Sequence, residues 1–280
     1  NPEYIGGLAA ALPGLQPGAR SAPAQALVSS IFSTQSMRQE LGAFYIGERT
    51  NTNGSKAFRD LLVKDDYEGL VDVAREQLGS GVHALDVCVA YTGRDEITDM
   101  RQTLRRFVTR IDLPLVIDST EVPVLEAALQ MYCGRAIINT INLEDGEERA
   151  DRICRLARRY GAALIALTID EKGMARTVEE KLAIARRIHA IAVDRHGLRP
   201  QDLIFDCLTF TLGSGDETLR DSALKTLEGI RRIKAGLPGV FTVLGLSNVS
   251  FGLAPGSRKV LNSLFLHECI QAGLDMAIVN

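Results

Sequence analysis

After residue 41 the sequence alternates between short apolar runs and longer amphipathic stretches, and this unit recurs eight times. Apolar runs of about five residues are typical of strands in a parallel sheet that is covered on both faces. The predicted strands are residues 43–47, 84–89, 114–118, 136–140, 163–168, 203–206, 241–245 and 276–279. The predicted helices include 67–79, 96–110, 122–132, 147–160, 178–196, 217–234 and 259–272. Eight such units predict an α/β fold, the (β/α)8 TIM barrel.

An open, doubly wound sheet is the alternative arrangement of the same elements. Such a sheet is expected to carry a glycine-rich phosphate-binding turn after an early strand, and residues 47–51 (GERTN) do not form that turn. The sequence ends at Asn280, directly after the eighth predicted strand. We therefore expect either a truncation there or an N-terminal segment that covers the face of the missing eighth helix.

The first forty residues differ in character from the rest. Residues 4–12 have a helix-like pattern, and the prolines, glycines and small residues of 13–24 predict a flexible connector. We expect a further domain upstream of this connector. The predicted organisation is an extended and helical linker at 1–40, followed by the barrel at 41–280.

Composition narrows the possible partners. The 46% apolar content is sufficient for a large core, and the net charge of -3 without a dense Lys/Arg block argues against nucleic acid and anionic membranes. No signal peptide or membrane-spanning run is present in the sequence, which predicts a cytoplasmic protein. The five cysteines occur singly, with no CxxC pair and no histidine at ligand spacing, so we expect reduced thiols and no metal site.

Acids and amides end several of the predicted strands. They are Asp86, Asp118, Asn139, Asp206 and Asn248. One such residue alone, Asp118 for example, is equally well explained as the cap of the following helix. Because strand ends converge at one mouth of a barrel, the series as a whole predicts a single polar pocket. Its carboxylates and carboxamides suit a flat ring with several N–H donors, such as a 2-amino-4-oxopteridine, which can bind one carboxylate through two hydrogen bonds.

Six segments closely resemble the folate-binding domain of cobalamin-dependent methionine synthases. They are residues 47–56 (GERTNTNGSK), 85–87 (LDV), 116–119 (VIDS), 138–142 (INTIN), 204–206 (IFD) and 245–251 (GLSNVSF). The resemblance runs in order from about residue 41 to the end of the chain. The N-terminal piece is similar to the end of that enzyme's homocysteine-binding domain and its interdomain linker. The zinc-binding cysteines of that domain and a cobalamin-binding signature are not in this sequence.

The resemblance implies a set of pterin-binding residues. Asp118, Asn139 and Asp206 are expected to form hydrogen bonds with the pterin ring, while Glu48 and Asp86 line the polar floor of the same pocket. At one position the sequence departs from the pattern, since Cys207 follows Asp206 where many relatives have proline. The shape of that loop does not follow from the resemblance.

The resemblance also implies a reaction. The substrate is expected to be 5-methyltetrahydrofolate, and its N5 methyl passes to cob(I)alamin held by a cobalamin-binding domain of the same enzyme. Asn248, on the seventh strand, is the predicted catalytic residue that faces N5, and Ser247 beside it is expected to bind substrate. Arg258, in the loop after that strand, either contacts the benzoyl or glutamate part of folate or caps the next helix.

Three other functions are alternatives to this reaction. A dihydropteroate synthase is expected to have a lysine on the seventh strand and an Arg-x-His element on the eighth, where this sequence has Ser247, Asn248 and residues 278–280 (IVN). A methyltransferase that passes the folate methyl to a corrinoid iron–sulfur protein shares the pterin residues. A folate-binding module without catalysis is the third possibility. The last two remain open at this point.

Overall fold

Eight parallel strands close into a barrel in the computed structural model of the chain, which describes residues 2–12, 14, 25–213, 215 and 217–280. In chain order the strands are β1 (Leu27–Ser29), β2 (Thr34–Ser36), β3 (Phe44–Gly47), β4 (Ala84–Val87), β5 (Leu115–Asp118), β6 (Ile137–Ile141), β7 (Ala163–Leu167), β8 (Ile169–Asp170), β9 (Gly173–Met174), β10 (Leu203–Asp206), β11 (Phe241–Gly245) and β12 (Met276–Val279). The barrel order is β3, β4, β5, β6, β7, β10, β11 and β12, and β12 pairs with β3 to close it. The predicted TIM barrel is confirmed.

Nine α-helices lie in the described ranges. They are α1 (Pro2–Ala11), α2 (Lys56–Val63), α3 (Tyr67–Leu78), α4 (Glu96–Arg110), α5 (Val122–Met131), α6 (Glu147–Tyr160), α7 (Val178–His189), α8 (Ser222–Gly236) and α9 (Pro255–Ala272). Helices α2 to α9 cover the outside of the barrel, whereas α1 has no buried residue. A large apolar core lies between these helices and the strands. No helix within the described ranges is long and apolar enough to cross a membrane.

The observed elements differ from the predicted ones in several places, and the four short strands β1, β2, β8 and β9 were not predicted. Helix α2 was not predicted; it begins after Ser55, whose Oγ accepts a hydrogen bond from the Phe58 N–H at 3.2 Å. Helix α7 continues as a π-helical segment, Ala190–Arg195. The predicted helix at 217–234 is wrong at its start, because a single 3₁₀ turn at Glu217–Leu219 precedes α8.

The N-terminal end of the barrel is sealed by the β1–β2 hairpin. Val28 and Met37 are fully buried and join the apolar cluster inside the barrel. The backbone N–H of Ser29 donates to the carbonyl of Arg135 at 3.1 Å. This hairpin lies before the predicted domain boundary at residue 41, which stays a prediction. Helix α1 covers most of the predicted helix at 4–12, and the predicted connector, except residue 14, lies outside the described residues.

Candidate functional site

A polar cavity of about 890 Å³ opens at the C-terminal end of the barrel. Residues from seven of the eight barrel strands, all but β4, or from the segments that directly follow them, line it. Of the predicted site residues, those that line it are Glu48, Asp118, Asn139, Asp206, Ser247 and Asn248. The structure thus brings together six side chains that are spread over 200 positions of the sequence, from residue 48 to residue 248.

Asp86 does not line the cavity, which corrects its predicted place on the floor. It is 1% exposed and lies beneath the cavity, where its Oδ1 accepts a hydrogen bond from Asn139 Nδ2 at 3.3 Å. Its Oδ2 accepts a second from Asn51 Nδ2 at 2.7 Å. Asp86 therefore orients the amide groups of Asn51 and of Asn139, the second of which lines the cavity.

Asn51 is a site residue that the sequence analysis missed. Its Nδ2 also donates to Asp118 Oδ2 at 2.8 Å, so one carboxamide bridges two buried carboxyl groups. Its Oδ1 accepts from the Asn53 N–H at 2.8 Å, and its backbone N–H donates to the Glu48 carbonyl at 3.2 Å. Asn51 lies four residues after the end of β3, so it is not one of the polar residues that end the predicted strands. Its place in the GERTN segment was the available signal.

Asp206 is held from its own loop. Its Oδ1 accepts a hydrogen bond from the Leu208 N–H at 2.7 Å, and the backbone N–H of Gly245 is a further donor. Leu208 has a φ of 56°, a left-handed conformation that is uncommon for a residue with a bulky side chain. The loop after β10 therefore fixes Asp206 at the edge of the cavity.

Asn248 and Ser247 line the cavity from a different element than predicted. They lie in a 3₁₀ turn, Leu246–Ser250, which follows β11, and not on the strand itself. A Cβ atom at Gly245 would come within 3.0 Å of Asn248 Nδ2, so the carboxamide lies against the backbone of that glycine. Within the part of the chain that the structure describes, the Asn248 side chain forms no hydrogen bond. Its amide group is available to a ligand.

Arg258 is not part of this cavity. It lies in the first turn of α9 and not in a loop, and its Nε donates to Ser250 Oγ at 3.2 Å. Two other arginines, which were not predicted, line the cavity on the β5–β6 side. Arg149 is occupied by the carbonyls of Thr120 and Thr140, whereas the neighbouring Arg152 is exposed.

Burial raises the pKa of four carboxyl groups in and beneath the cavity, those of Glu48, Asp86, Asp118 and Asp206. Burial is the larger cause and the nearby Asp86 the second in raising the pKa of Asp118 to about 8 and that of Glu48 to about 7. Burial also raises the pKa of Asp86 and of Asp206 to about 6. Glu48, Asp86 and Asp118 lie close together and titrate together, so the ligand-free cavity retains protons at neutral pH.

The arrangement favours a ligand with several N–H donors at one edge. Ionised carboxylates only accept hydrogen bonds, and Asn51 and Asn139 already direct their amide donors toward carboxyl groups. No group of His, Cys, Asp and Glu residues in the described ranges is arranged to hold a metal ion. The chemistry of the cavity is therefore recognition by hydrogen-bond acceptors, with protons that a ligand can displace.

Two curated relatives were compared with the chain. It is 45% identical over 266 residues to a methionine synthase of Mycobacterium leprae, a match that covers 94% of this chain and 22% of the relative. It is 44% identical over 282 residues to a methionine synthase of Mycobacterium tuberculosis, with 100% of this chain and 24% of the relative covered. The predicted resemblance to methionine synthases is confirmed, and the chain spans less than a quarter of the length of these relatives.

Solved structures with the same fold include two dihydropteroate synthases. The enzyme of Xanthomonas albilineans with 4-aminobenzoic acid has a TM-score of 0.66 at 18% identity, with 90% of this chain and 92% of that chain covered. The enzyme of Clostridium difficile in the presence of pteroic acid has a TM-score of 0.62 at 15% identity, with 85% and 90% covered. These similarities show the fold alone. Residues 47–280, however, match the family described as pterin binding enzyme, and the chain belongs to this family.

Proposed function

We propose that this chain is the folate-binding module of a cytoplasmic methionine synthase. It binds 5-methyltetrahydrofolate and allows the N5 methyl group to pass to cob(I)alamin, which is held by another domain of the same enzyme. The observation that supports this most is the acceptor-rich cavity at the barrel mouth, in a chain 44–45% identical to methionine synthases.

The residues that line the cavity bind the pterin ring. The 2-amino group and the adjacent ring N–H of a pterin can donate together to one carboxylate, and such a charge-assisted pair is stronger than neutral hydrogen bonds. Asp118 and Asp206 are the carboxylates at the cavity surface that can accept them. Asn139 and Glu48 complete the contacts with the ring. Donors from the ligand stabilise the ionised carboxylates, which counteracts the effect of burial on their pKa.

Methyl transfer requires a proton at N5, because a tertiary amine would otherwise leave with a negative charge. The Asn248 carboxamide cannot supply that proton at neutral pH, but its oxygen can accept a hydrogen bond from the protonated N5. Water delivers the proton in this proposal. Glu48 lines the cavity with a pKa of about 7, so its carboxyl group is partly protonated at neutral pH and can give up that proton, which the water passes on to N5. The cobalamin of the partner domain supplies the nucleophile.

The test mixes the chain with 5-methyltetrahydrofolate and cob(I)alamin and follows the loss of cob(I)alamin absorbance. We expect turnover with the free cofactor or with the cofactor held by its own domain. Tight folate binding without turnover would contradict methyl transfer and favour a non-catalytic module. Turnover only with a corrinoid iron–sulfur protein would favour the other methyltransferase.

A further inference from the structure

Lys181 is a buried cation that the proposed chemistry does not use. It lies on α7, is 1% exposed, and forms no ion pair within the described ranges. Its Nζ donates to the carbonyl of Cys207, to that of Ala175 at 3.2 Å and to that of Leu208 at 3.3 Å. An ammonium group without a carboxylate partner is costly to bury, so its bonds to these carbonyls require an explanation.

The surroundings of Lys181 leave space for this side chain. A Cβ atom at Gly229 of α8 would come within 2.9 Å of Lys181 Cδ, so only glycine leaves room for the lysine stem. Thr226 Oγ1, also on α8, donates to the carbonyl of Leu208 at 2.9 Å. The ring centroid of Phe210 lies 5.7 Å from Nζ. Helices α7 and α8 thus hold the loop after β10 between them.

One peptide group connects Lys181 to Asp206. The Cys207 carbonyl that accepts from the ammonium and the Leu208 N–H that donates to Asp206 Oδ1 belong to the same peptide bond. A cation at the carbonyl polarises this group and strengthens its N–H as a donor. The loop also contains the left-handed Leu208, an uncommon conformation for a branched side chain. The ammonium is positioned to hold that conformation.

We propose that Lys181 is a positioning residue for pterin binding: through the peptide group between Cys207 and Leu208 it orients the Asp206 carboxylate toward the cavity and favours its ionised form. This inference rests on the proposed function for the identity of the ligand. No residue of α7 lines the cavity. The helix therefore takes part in ligand recognition indirectly, through Lys181.

The charges around the pair support the proposal. Lys181 is the charged group that lowers the pKa of Asp206 against the effect of burial, together with the N–H groups of Leu208 and Gly245. Burial lowers the pKa of Lys181; Asp206 and Glu180 favour the charged ammonium against this effect, whereas Lys225 of α8 opposes it. Burial raises the pKa of the Cys207 thiol, which therefore stays neutral. Among the residues that the structure describes, no second cation acts on Asp206 to replace Lys181.

The main experiment measures 5-methyltetrahydrofolate binding between pH 5 and 8.5 for the wild-type chain and for Lys181→Met. Only ionised Asp206 accepts from the pterin, and loss of the cation raises the pKa of Asp206. The acid limb of the binding curve should therefore move to higher pH by roughly one unit, and the affinity at pH 6 should fall by about fivefold. Lys181→Arg, which keeps the charge, should return the limb toward the wild-type position.

Lys234→Met is the matched control. That lysine also donates to a buried carbonyl, of Val240 at 3.0 Å, and pairs with Asp275 at 2.7 Å, but at the other end of the barrel. It should lower stability without moving the acid limb. If Lys181→Met does not fold, Gly229→Ala retains the lysine, displaces its stem and suits a helix, and it should weaken pterin binding in the folded protein.

The outcomes distinguish a failure of the proposed function from a failure of the proposed role of Lys181. A wild-type chain that binds no pterin would overturn the proposed function and this inference with it. A wild-type chain that binds pterin, with an unchanged acid limb in Lys181→Met or unchanged affinity in Gly229→Ala, would overturn the inference alone. An equal shift of the limb in Lys234→Met would show that loss of stability accounts for the effect, which also overturns it.

Discussion

Replacement of Asp118 by Asn should separate what this carboxyl group does for the ligand from what it does for the fold. Its pKa of about 8 means that the ligand-free chain holds it mainly protonated at pH 7. The ionised form is the one that accepts two N–H groups of a pterin. Binding of 5-methyltetrahydrofolate at pH 7 should therefore release close to one proton from this group.

The same pKa makes Asp118 a burden on stability at high pH. Because the folded pKa lies above the unfolded value of 3.8, the folded chain binds the proton more tightly, and the free energy of unfolding falls as pH rises from about 4 to 8. A separation of about four units sets an upper limit near 6 kcal/mol. Since neighbouring carboxyl groups share this titration, we expect Asp118→Asn to gain about 1–2 kcal/mol at pH 8.

Calorimetry in two buffers of different ionisation enthalpy counts the protons released on binding, and urea unfolding at pH 6 and pH 8 measures stability. Asp118→Asn should bind folate about 10- to 100-fold more weakly, a loss of about 1–3 kcal/mol, and should release correspondingly fewer protons. Asp60→Asn, at an exposed position of α2, is the control. Wild-type binding without proton release, or a variant with unchanged affinity and unchanged pH dependence of unfolding, would show that Asp118 neither loses a proton to bind the pterin nor lowers the stability at high pH.

Four further variants test single residues. Asn51→Leu removes both donors to two buried carboxyl groups, so urea unfolding at pH 8 should show a loss of about 2–4 kcal/mol; a loss below 1 kcal/mol contradicts the bridge. Asn248→Ala should lower the single-turnover methyl-transfer rate more than it weakens folate binding, and equal losses count against a transition-state role. Glu48→Gln should remove the limb near pH 7 from the rate profile of methyl transfer. Arg258→Ala should leave the folate dissociation constant unchanged, and a large increase would restore its predicted contact with substrate.

The alternation of apolar runs and helical stretches was sufficient to predict the barrel, because the pattern reports burial on both faces of each strand. It was insufficient for α2, whose start depends on a Ser55 cap just after an irregular loop. Polar strand ends likewise predicted that one pocket would form. Residues on turns beyond the strands, such as Asn51 and Asn248, have no fixed direction in a sequence pattern, so their exact places required the structure.

Depth within the barrel was the information that the sequence lacked. Asp118 pairs with Asn139, and both reach the cavity, whereas Asp86 pairs with Val116, two residues earlier on the same strand as Asp118. Asp86 therefore lies one layer deeper than Asp118, although each appears in the sequence as an acid near the end of an apolar run. The stagger between neighbouring strands sets this depth, and it depends on closure of the whole sheet. No local pattern contains it.

The two ends of the barrel show why the cavity is the functional end. At the N-terminal end, the hairpin places the apolar Val28 and Met37 against the interior, which stabilises the fold at no electrostatic cost. At the C-terminal end, carboxyl groups lie so far from water, and several of them so close together, that their pKa values rise to between about 6 and about 8. A fold selected for stability alone would replace some of them with apolar residues. Their presence together at one mouth is explained by a ligand whose donors compensate for the repulsion, and affinity for that ligand should therefore rise whenever a substitution elsewhere leaves the cluster more fully ionised.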